Sequence, residues 1–483
     1  MTKIIKDIKQ SLDTIRNFMI NEVAIDGVPY LPPNTKGLLE IKENEVKLNI
    51  EDVPAMSSSV YENAPLKDIL IQISDKKYVT KDNFIPLKIN TKIDEVRSEV
   101  SNTLNCSFNS LYDRAVNLSE KYFFRYVVPI EKCNWYNDIQ NSGYSYGLNR
   151  NHAGLLVVNL KGVDLHLFPV DESGKTYLFM ESLEPCTIQQ MNDFYYPISL
   201  VLGLITGEAP FGSTFILTSR NGKWEQEQMV SYIKQRPTIT CSTVFFTTNV
   251  YSLNIVLNAN KAAYAINQIK DKNGKLIEEL LDWIHIETFQ KMVSALLDDP
   301  RLARASLVLL ESSNATLEVQ GGVASVVLET LGNIYGEKSG HYFEKKTWKD
   351  HIMPLFEQFI NTNDWPDIVT DEIKQKWINK LGAFNNIPNQ EKLTRPFLDL
   401  GYDLQEYDKE VLNDRNRYLH GDIKGNTFEE QFEELYYSSL ELQKLCAILI
   451  FGACDYHGYL VNPATLTGRP KAIQHNEPVL VKI

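Results

Sequence analysis

The hydrophobic pattern changes period near residue 270, and that change constrains the fold more than any other feature. Before it, short β-type segments dominate. Lys36–Ile50 alternates apolar and polar residues around a turn-like Glu43-Asn44, which reads as a hairpin with one wet face. Ile69–Ser74, Tyr122–Pro129, Gly154–Leu160, Val163–Pro169, Tyr177–Glu181, Thr214–Thr218 and Thr243–Thr248 also read as strands, rich in Val, Ile, Phe and Tyr. Gly162, Gly174 and Gly222 mark turns. Two helices are expected among these strands, Ser101–Tyr122 and Thr187–Gly207. The second has a capping Thr187, is apolar on most sides, and carries Pro197 as the expected site of a kink or break.

After residue 270 the apolar spacing is close to 3.6. Lys275–Leu297, Arg301–Ser313, Val319–Tyr335, Trp348–Ile360, Thr370–Phe384 and Leu398–His420 read as helices, the last as one or two. Pro300 suits a first helical turn. Thr427 and Glu430 form a capping box that opens a helix running to about Gly452. The expected fold class is therefore α+β: a β-rich N-terminal domain over 1–267, an all-α helical bundle over 275–462, and an irregular C-terminal arm over 463–483. The polar stretch Gln268–Gly274 is the expected boundary.

A length of 483 residues with 43% hydrophobic residues gives ample material for more than one core. The net charge of −13 argues against a protein that coats nucleic acid through bulk charge, while leaving room for a small local RNA site. The longest uncharged apolar runs, Tyr195–Ile205 and Leu445–Cys454, fall short of the roughly 20 residues of a bilayer span, and no signal peptide is readable, so no membrane partner is expected. Six scattered cysteines without a CxxC pair suit neither a disulfide scaffold nor a zinc ribbon. A reducing cytoplasm is the simplest compartment.

No GxxxxGK[ST], HExxH or GxSxG motif occurs. Gly321-Gly322 lies inside a helical pattern and matches no phosphate cradle, and Cys454 and His457 have no second ligand cluster nearby. The segment that stands out is Asn413–Asp422, which places Arg415 five residues before His420, with Gly421 as a natural helix stop. Five helical residues are about 500° of rotation and about 7.5 Å of rise, so the two side chains share no face of one ideal helix. They converge only if the helix ends between them or a second copy completes the site. Cleavage of RNA by its own 2′-OH suits such a pair, because the substrate carries the nucleophile. Histidine exchanges protons near pH 7, and arginine holds the phosphate charge. The same residues also suit an ordinary helix end, with Arg415 paired to Asp414 or Glu410 and His420 favoured by the helix dipole.

Arg415-Asn416-x-x-x-His420 resembles the R-[polar]-xxx-H motif of the HEPN superfamily of compact helical bundles, many of them metal-independent ribonucleases. The motif lies ahead of a long final amphipathic helix. Arg301–Ser313 and Ala324–Leu331, with a Leu-Glu-x-Leu element, are similar to the early helices of the ApeA-like group. The Gly37-Leu-Leu-x-Ile hairpin and the apolar helix ending at Gly207 resemble that group's N-terminal domain. The resemblance covers about residues 275–460, and 25–265 loosely.

The resemblance implies that Arg415 holds the scissile phosphate, His420 is general acid or base, and Asn416 orients phosphate or imidazole. Glu329 would pair with Arg415, or else be a helix-face carboxylate with any basic neighbour. Arg417 would add a phosphate contact, and Tyr418 would pack. No metal or cofactor is implied. The implied partners are an RNA substrate, a tRNA anticodon loop being one by analogy, a second copy in a homodimer or larger assembly, and a phage-derived trigger in anti-phage defence by abortive infection. Segment 340–394 is long for a bundle of this kind and reads as an insertion. Residues 391–425 hold six Lys/Arg and eight Asp/Glu, so the local charge does not favour broad RNA binding. A non-catalytic module binding nucleotides or partners is the alternative; a metal-dependent hydrolase has little behind it.

Overall fold

The structure is a computed structural model that describes residues 2–27, 31–42, 45–51, 53, 69–80, 84–94, 99–117, 119–130, 138–140, 154–224, 229–234, 236–241, 263–280, 283–339, 341–420, 422–469 and 477–483. The class is α+β, with antiparallel sheet in the N-terminal half and helices in the C-terminal half. The described chain forms two compact units. The first holds the residues up to Cys241 and those from 283 to Asp298; the second holds 263–280 and everything from Asp299 onward.

The first unit is built on strands β1 (Ile20–Asp26), β2 (Thr35–Lys42), β3 (Glu45–Ile50), β4 (Leu70–Ile73), β5 (Lys76–Val79), β6 (Phe84–Asp94), β7 (Glu99–Phe108) and β8 (Ser110–Asp113). It continues with β9 (Phe123–Ile130), β10 (Leu156–Leu160), β11 (Val163–Glu172), β12 (Lys175–Ser182), β13 (Glu208–Ala209), β14 (Ser213–Ser219), β15 (Met229–Lys234) and β16 (Ile239–Thr240). Fourteen of them form one sheet in the order β10-β11-β12-β9-β14-β15-β8-β5-β4-β1-β2-β3-β7-β6, while β13 and β16 pair separately. Strand β8 is the narrow link. It pairs through Leu111 and Ser110 with β15, and through Asp113 and Tyr112 with β5.

The expected hairpin forms as β2–β3, with Leu39, Ile41, Val46 and Leu48 buried; its turn residues Glu43 and Asn44 lie outside the described residues. The expected strand Thr243–Thr248 also lies outside them. At the β10–β11 and β11–β12 turns, Lys161-Gly162 and Ser173-Gly174 both take positive φ. Paired left-handed residues match the twist of a two-residue hairpin, and glycine adopts that conformation without Cβ strain.

Ser101–Tyr122 is strand, not helix: it contributes β7 and β8. Leu104 and Phe108 share one face of β7, and the single residue Asn109 between the strands lets Leu111 return to the same core. A separation of four satisfies the strand period as well as the helix period. Helix α1 (Thr2–Met19), which the sequence pattern left unassigned, packs Ile8, Leu12, Ile15 and Phe18 into the sheet core.

Helix α2 (Ile188–Thr206) starts at a capping box between Thr187 and Gln190 and ends at Gly207, whose φ is +81°. It runs unbroken through Pro197 and is buried throughout from Pro197 to Ile205. The second unit begins with α3 (Ala263–Ile269). The expected helix Lys275–Leu297 is not continuous: Glu278–Leu280 is a 3₁₀ turn, and only α4 (Ile286–Asp298) is α-helical. Helix α4 belongs to the first unit, where it packs on α2 and β10 through a face containing Phe289, Met292, Val293 and Leu296.

The second unit contains α5 (Pro300–Ser312), α6 (Leu317–Ser339), α7 (Met353–Thr362), α8 (Asp371–Phe384), α9 (Asn389–Asp399), α10 (Glu406–Leu419) and α11 (Phe428–Ala453). Asp299 caps α5, with Pro300 in its first turn. Thr427 accepts from the Glu430 amide, while Glu430 takes the amide of Asn426, one residue before the expected partner. Helix α11 is buried almost all round from Leu435 to Phe451 and packs on α5, α6, α9 and α10. The tail is not wholly irregular. Helix α12 (Pro463–Leu466) follows strand β17 (Tyr459–Val461), which pairs with β18 (Leu480–Lys482) at the end of the chain.

Segment 340–394 holds α7 and α8, and its ends meet where the Tyr342 amide donates to the Asn385 carbonyl at 3.0 Å. Phe343, Trp348 and Phe356 pack together, as do Phe359, Trp365 and Trp377.

A buried arginine pins α1 to the sheet. Arg125 donates to Ser11 Oγ at 2.7 Å and to Glu181 at 3.0 Å, and lies 4.3 Å from the Trp224 ring centroid. Trp224 Nε1 donates to the same Glu181. Arg125→Ala strands the Glu181 charge, so chemical denaturation should show a loss of about 3 kcal/mol; a change within about 0.5 kcal/mol refutes this.

Candidate functional site

Helix α10 carries the motif, and its buried face is set by the helical repeat. Tyr407, Asp408, Val411, Leu412, Arg415 and Tyr418 are buried. Asp408 and Arg415 are seven residues apart, so they share a stripe. Helix α10 packs on α6 and α11. Glycines make the approach possible: a Cβ at Gly321 would meet Ser439 Oγ at 3.1 Å and Tyr418 Cβ at 3.5 Å, and one at Gly322 would face the Tyr418 carbonyl. Ser325 Oγ donates to the Gly321 carbonyl at 2.8 Å and to the Arg415 carbonyl at 3.3 Å.

Arg415 is the buried cation of the segment, its side chain 9% exposed. One guanidinium nitrogen donates to the Leu412 carbonyl at 2.9 Å, and Nε lies 4.0 Å from Glu329 on α6. Nε is buried and makes no hydrogen bond. Burial pulls the guanidinium pKa below its ordinary value and Glu329 opposes that; an arginine stays charged regardless. Asp414 and Glu410, the alternative partners, instead pair with Lys424.

Asn416 and His420 are exposed. His420 closes the helix, its amide donating to the Arg417 carbonyl at 3.1 Å. Gly421 lies outside the described residues. No hydrogen bond joins Arg415 to His420 among the described residues, as the angular offset between them requires. Arg417 is engaged: Nε donates to Asp422 at 2.9 Å, and Asp414 lies 3.8 Å away. The bond to Asp422 raises the Arg417 pKa. Tyr418 is buried and donates to Glu434.

Sequence reasoning missed a buried ionic triad next to this segment. Lys444 on α11 donates to Asp408 at 2.8 Å and to Glu441 at 2.5 Å, all three side chains being 2% exposed or less. Asp408 also accepts from the Tyr402 hydroxyl and the Gln405 amide. Burial pushes the Asp408 carboxyl up, but Lys444 and these hydrogen bonds outweigh it and hold the pKa at about 2. Burial raises Glu441 well above the carboxylate range against the pull of Lys444. Two carboxyl groups whose pKa values are displaced in opposite directions therefore share one buried ammonium. Its signal was available in the sequence: Glu441, Gln443 and Lys444 interrupt a run that is otherwise apolar from Leu440 to Phe451.

No group of three or more His, Cys, Asp or Glu arranged for a metal ion occurs among the described residues, and none of their helices is long and apolar enough to cross a membrane. Cys186, Cys446 and Cys454 form no disulfide. Comparison with protein-family models, curated proteins and solved structures gave no match.

Asp408→Ala leaves the buried Lys444 without its carboxylate on α10 and is expected to cost about 3–5 kcal/mol in denaturant unfolding. The pH dependence has a definite sign. The folded pKa of Asp408 lies below its unfolded value of about 3.9, so its contribution is complete above about pH 4 and is lost as pH falls towards 2. Asp408→Asn should flatten the acid limb of the stability profile measured between pH 5 and pH 2. An unchanged limb refutes the assignment.

Proposed function

We propose that this chain is a metal-independent endoribonuclease of the HEPN type, acting in the bacterial cytoplasm as an anti-phage, abortive-infection effector. The observation that carries the reading is Arg415: a nearly buried cation, 4.0 Å from Glu329 on a second helix, within the Arg415-Asn416-x-x-x-His420 motif. An arginine buried beside one distant carboxylate, with an Nε–H that makes no hydrogen bond, is costly to hold for structure alone.

In the proposed reaction the ribose 2′-OH attacks the adjacent phosphorus. His420 removes the hydroxyl proton or protonates the leaving 5′-oxygen, the partner step falling to water or to a second copy's motif. Arg415 neutralises charge on the non-bridging oxygens, Asn416 hydrogen-bonds the phosphate or the imidazole, and Glu329 is a positioning residue. The products are a 2′,3′-cyclic phosphate and a 5′-hydroxyl. The nucleophile belongs to the substrate, so the scheme uses no metal.

Arg417 is committed to Asp422 and Asp414, so its phosphate contact requires that pair to open. Exposed Val319 and Val326 on α6 and Leu419 on α10 give the motif's surroundings an apolar surface that supports a homodimer. Unpaired RNA such as a tRNA anticodon loop is the proposed substrate class, because its bases are accessible without broad electrostatic binding in an acidic neighbourhood. The first unit would restrain the nuclease until a phage-derived trigger arrives. The local acidic excess also favours a second reading, a non-catalytic module that binds a nucleotide or a protein.

The test is inducible expression in bacteria of wild type, Arg415→Ala and His420→Ala, with and without phage, followed by sequencing of new 5′-hydroxyl RNA ends. New ends are expected from wild type only, falling about 10²–10⁴-fold in His420→Ala. In vitro cleavage should persist in EDTA. Absence of new ends at equal soluble expression would support the binding module instead.

A further inference from the structure

A cleft in the first unit has no part in the reading above. It has a volume of about 970 Å³. Its walls come from the ends of neighbouring strands: Asp75 of the β4–β5 turn, Lys76 and Lys77 of β5, Asp113 at the end of β8 with Arg114 just after it, and Arg220 just after β14.

The sheet explains the opening. Strand β8 pairs with only two residues of β15 and two of β5. Beyond Leu111 the β15 pairing stops, and the Asp113 amide takes the Ser231 hydroxyl at 3.2 Å in place of a backbone carbonyl. On the other side the Arg114 amide still reaches the Lys77 carbonyl at 2.9 Å. The strands therefore part at Asp113, and the cleft lies where they part.

Its charge runs against that of the chain. Among the described residues four cations and two carboxylates line it, in a protein of net charge −13. Lys77, Arg114 and Arg220 are exposed and have no carboxylate within 4 Å among the described residues. Asp113 is buried at the wall and accepts from the Ala115 amide at 2.9 Å. Met229 and Ala115 supply apolar surface beside the charges.

The geometry points to a binding site for a nucleotide carrying two or more phosphates, with Arg114, Arg220 and Lys77 on the phosphates and Asp113, Met229 and Ala115 on the nucleoside side. Three cations around one opening, none within 4 Å of a carboxylate among the described residues, favour a multiply charged anion, and guanidinium groups bind phosphate oxygens in pairs. The volume is at the upper end of the roughly 300–1,000 Å³ usual for small-molecule sites, well beyond one inorganic ion. A buried carboxylate acceptor suits an amino group of a base or a ribose hydroxyl. This inference is independent of the ribonuclease reading.

The experiment is calorimetric titration of the full-length protein with ATP, GTP and inorganic tripolyphosphate. Wild type is compared with Arg114→Glu/Arg220→Glu, and with Lys346→Glu/Lys380→Glu, exposed lysines of the second unit that give the same change in net charge. At least one nucleotide should bind wild type and the control alike, weaken with added salt, and bind the cleft variant at least tenfold more weakly. Circular dichroism checks the fold of each protein, and Arg114→Gln/Arg220→Gln takes the place of the reversal if that unfolds. No binding to wild type, or equal binding by the cleft variant, overturns the site. Tripolyphosphate binding as tightly as the nucleotides overturns the nucleoside half of the assignment.

Discussion

Lys444 is a charge almost wholly buried in a helix bundle, and the second unit is arranged around that constraint. An ammonium inside a packed helix bundle is tolerable only with anions at hydrogen-bond distance. Glu441, one turn back on the same helix, provides one carboxyl group, whose pKa burial raises, and a second carboxyl comes from another helix. Asp408 of α10 provides it. The register of α10 against α11 is thereby fixed at one point, and the helical repeat carries it seven residues on to Arg415. The motif arginine lies on the buried side of α10 because the residue two turns before it is held by Lys444. Such a triad forms in one arrangement only and leaves Glu441 Oε2 buried without a hydrogen-bond partner among the described residues, which makes it a device for position more than a source of net stability.

The first unit has a different weak point. A sheet of this width depends on β8, whose pairing is short on both sides. Helix α1 compensates, laying an apolar stripe into the core under β1, β2 and β15 while Arg125 ties it to the sheet through Ser11. What the seam cannot close is an opening, and positive charge has collected there in an otherwise acidic protein.

Sequence pattern read well wherever the local signal had a single interpretation. The β2–β3 alternation, the Thr187 cap with Gly207 at the far end of α2, Asp299-Pro300 and the Thr427 cap all lie at element boundaries fixed by hydrogen-bond chemistry. It failed where one pattern served two periods. Leu104, Phe108 and Leu111 fit a helix stripe, and also two strands with one residue between them. The run from Lys275 to Leu297 had helical spacing throughout, yet only its second half found a surface to bury against. The pairing of Arg415 with Glu329 was legible through a resemblance. The Asp408–Lys444 pair was not, because it joins residues 36 apart, and a charge within an apolar helix says that a partner exists without saying which.

Helix α4 is the last-made piece of the first unit, separated from it in sequence by residues of the second. Proteins emerge from the ribosome N-terminus first, at about 5–20 residues per second, and begin to fold as they emerge. Helix α2 and strand β10 are finished before Phe289, Met292, Val293 and Leu296 have been synthesised. A nascent chain halted between residues 241 and 283 would carry a nearly complete sheet with an apolar face still open to chaperones and to other chains. In the order of synthesis, then, the β-rich unit is not finished before its helical successor has begun, and a fragment cut at the change of period near residue 270 would lack a wall of its own core.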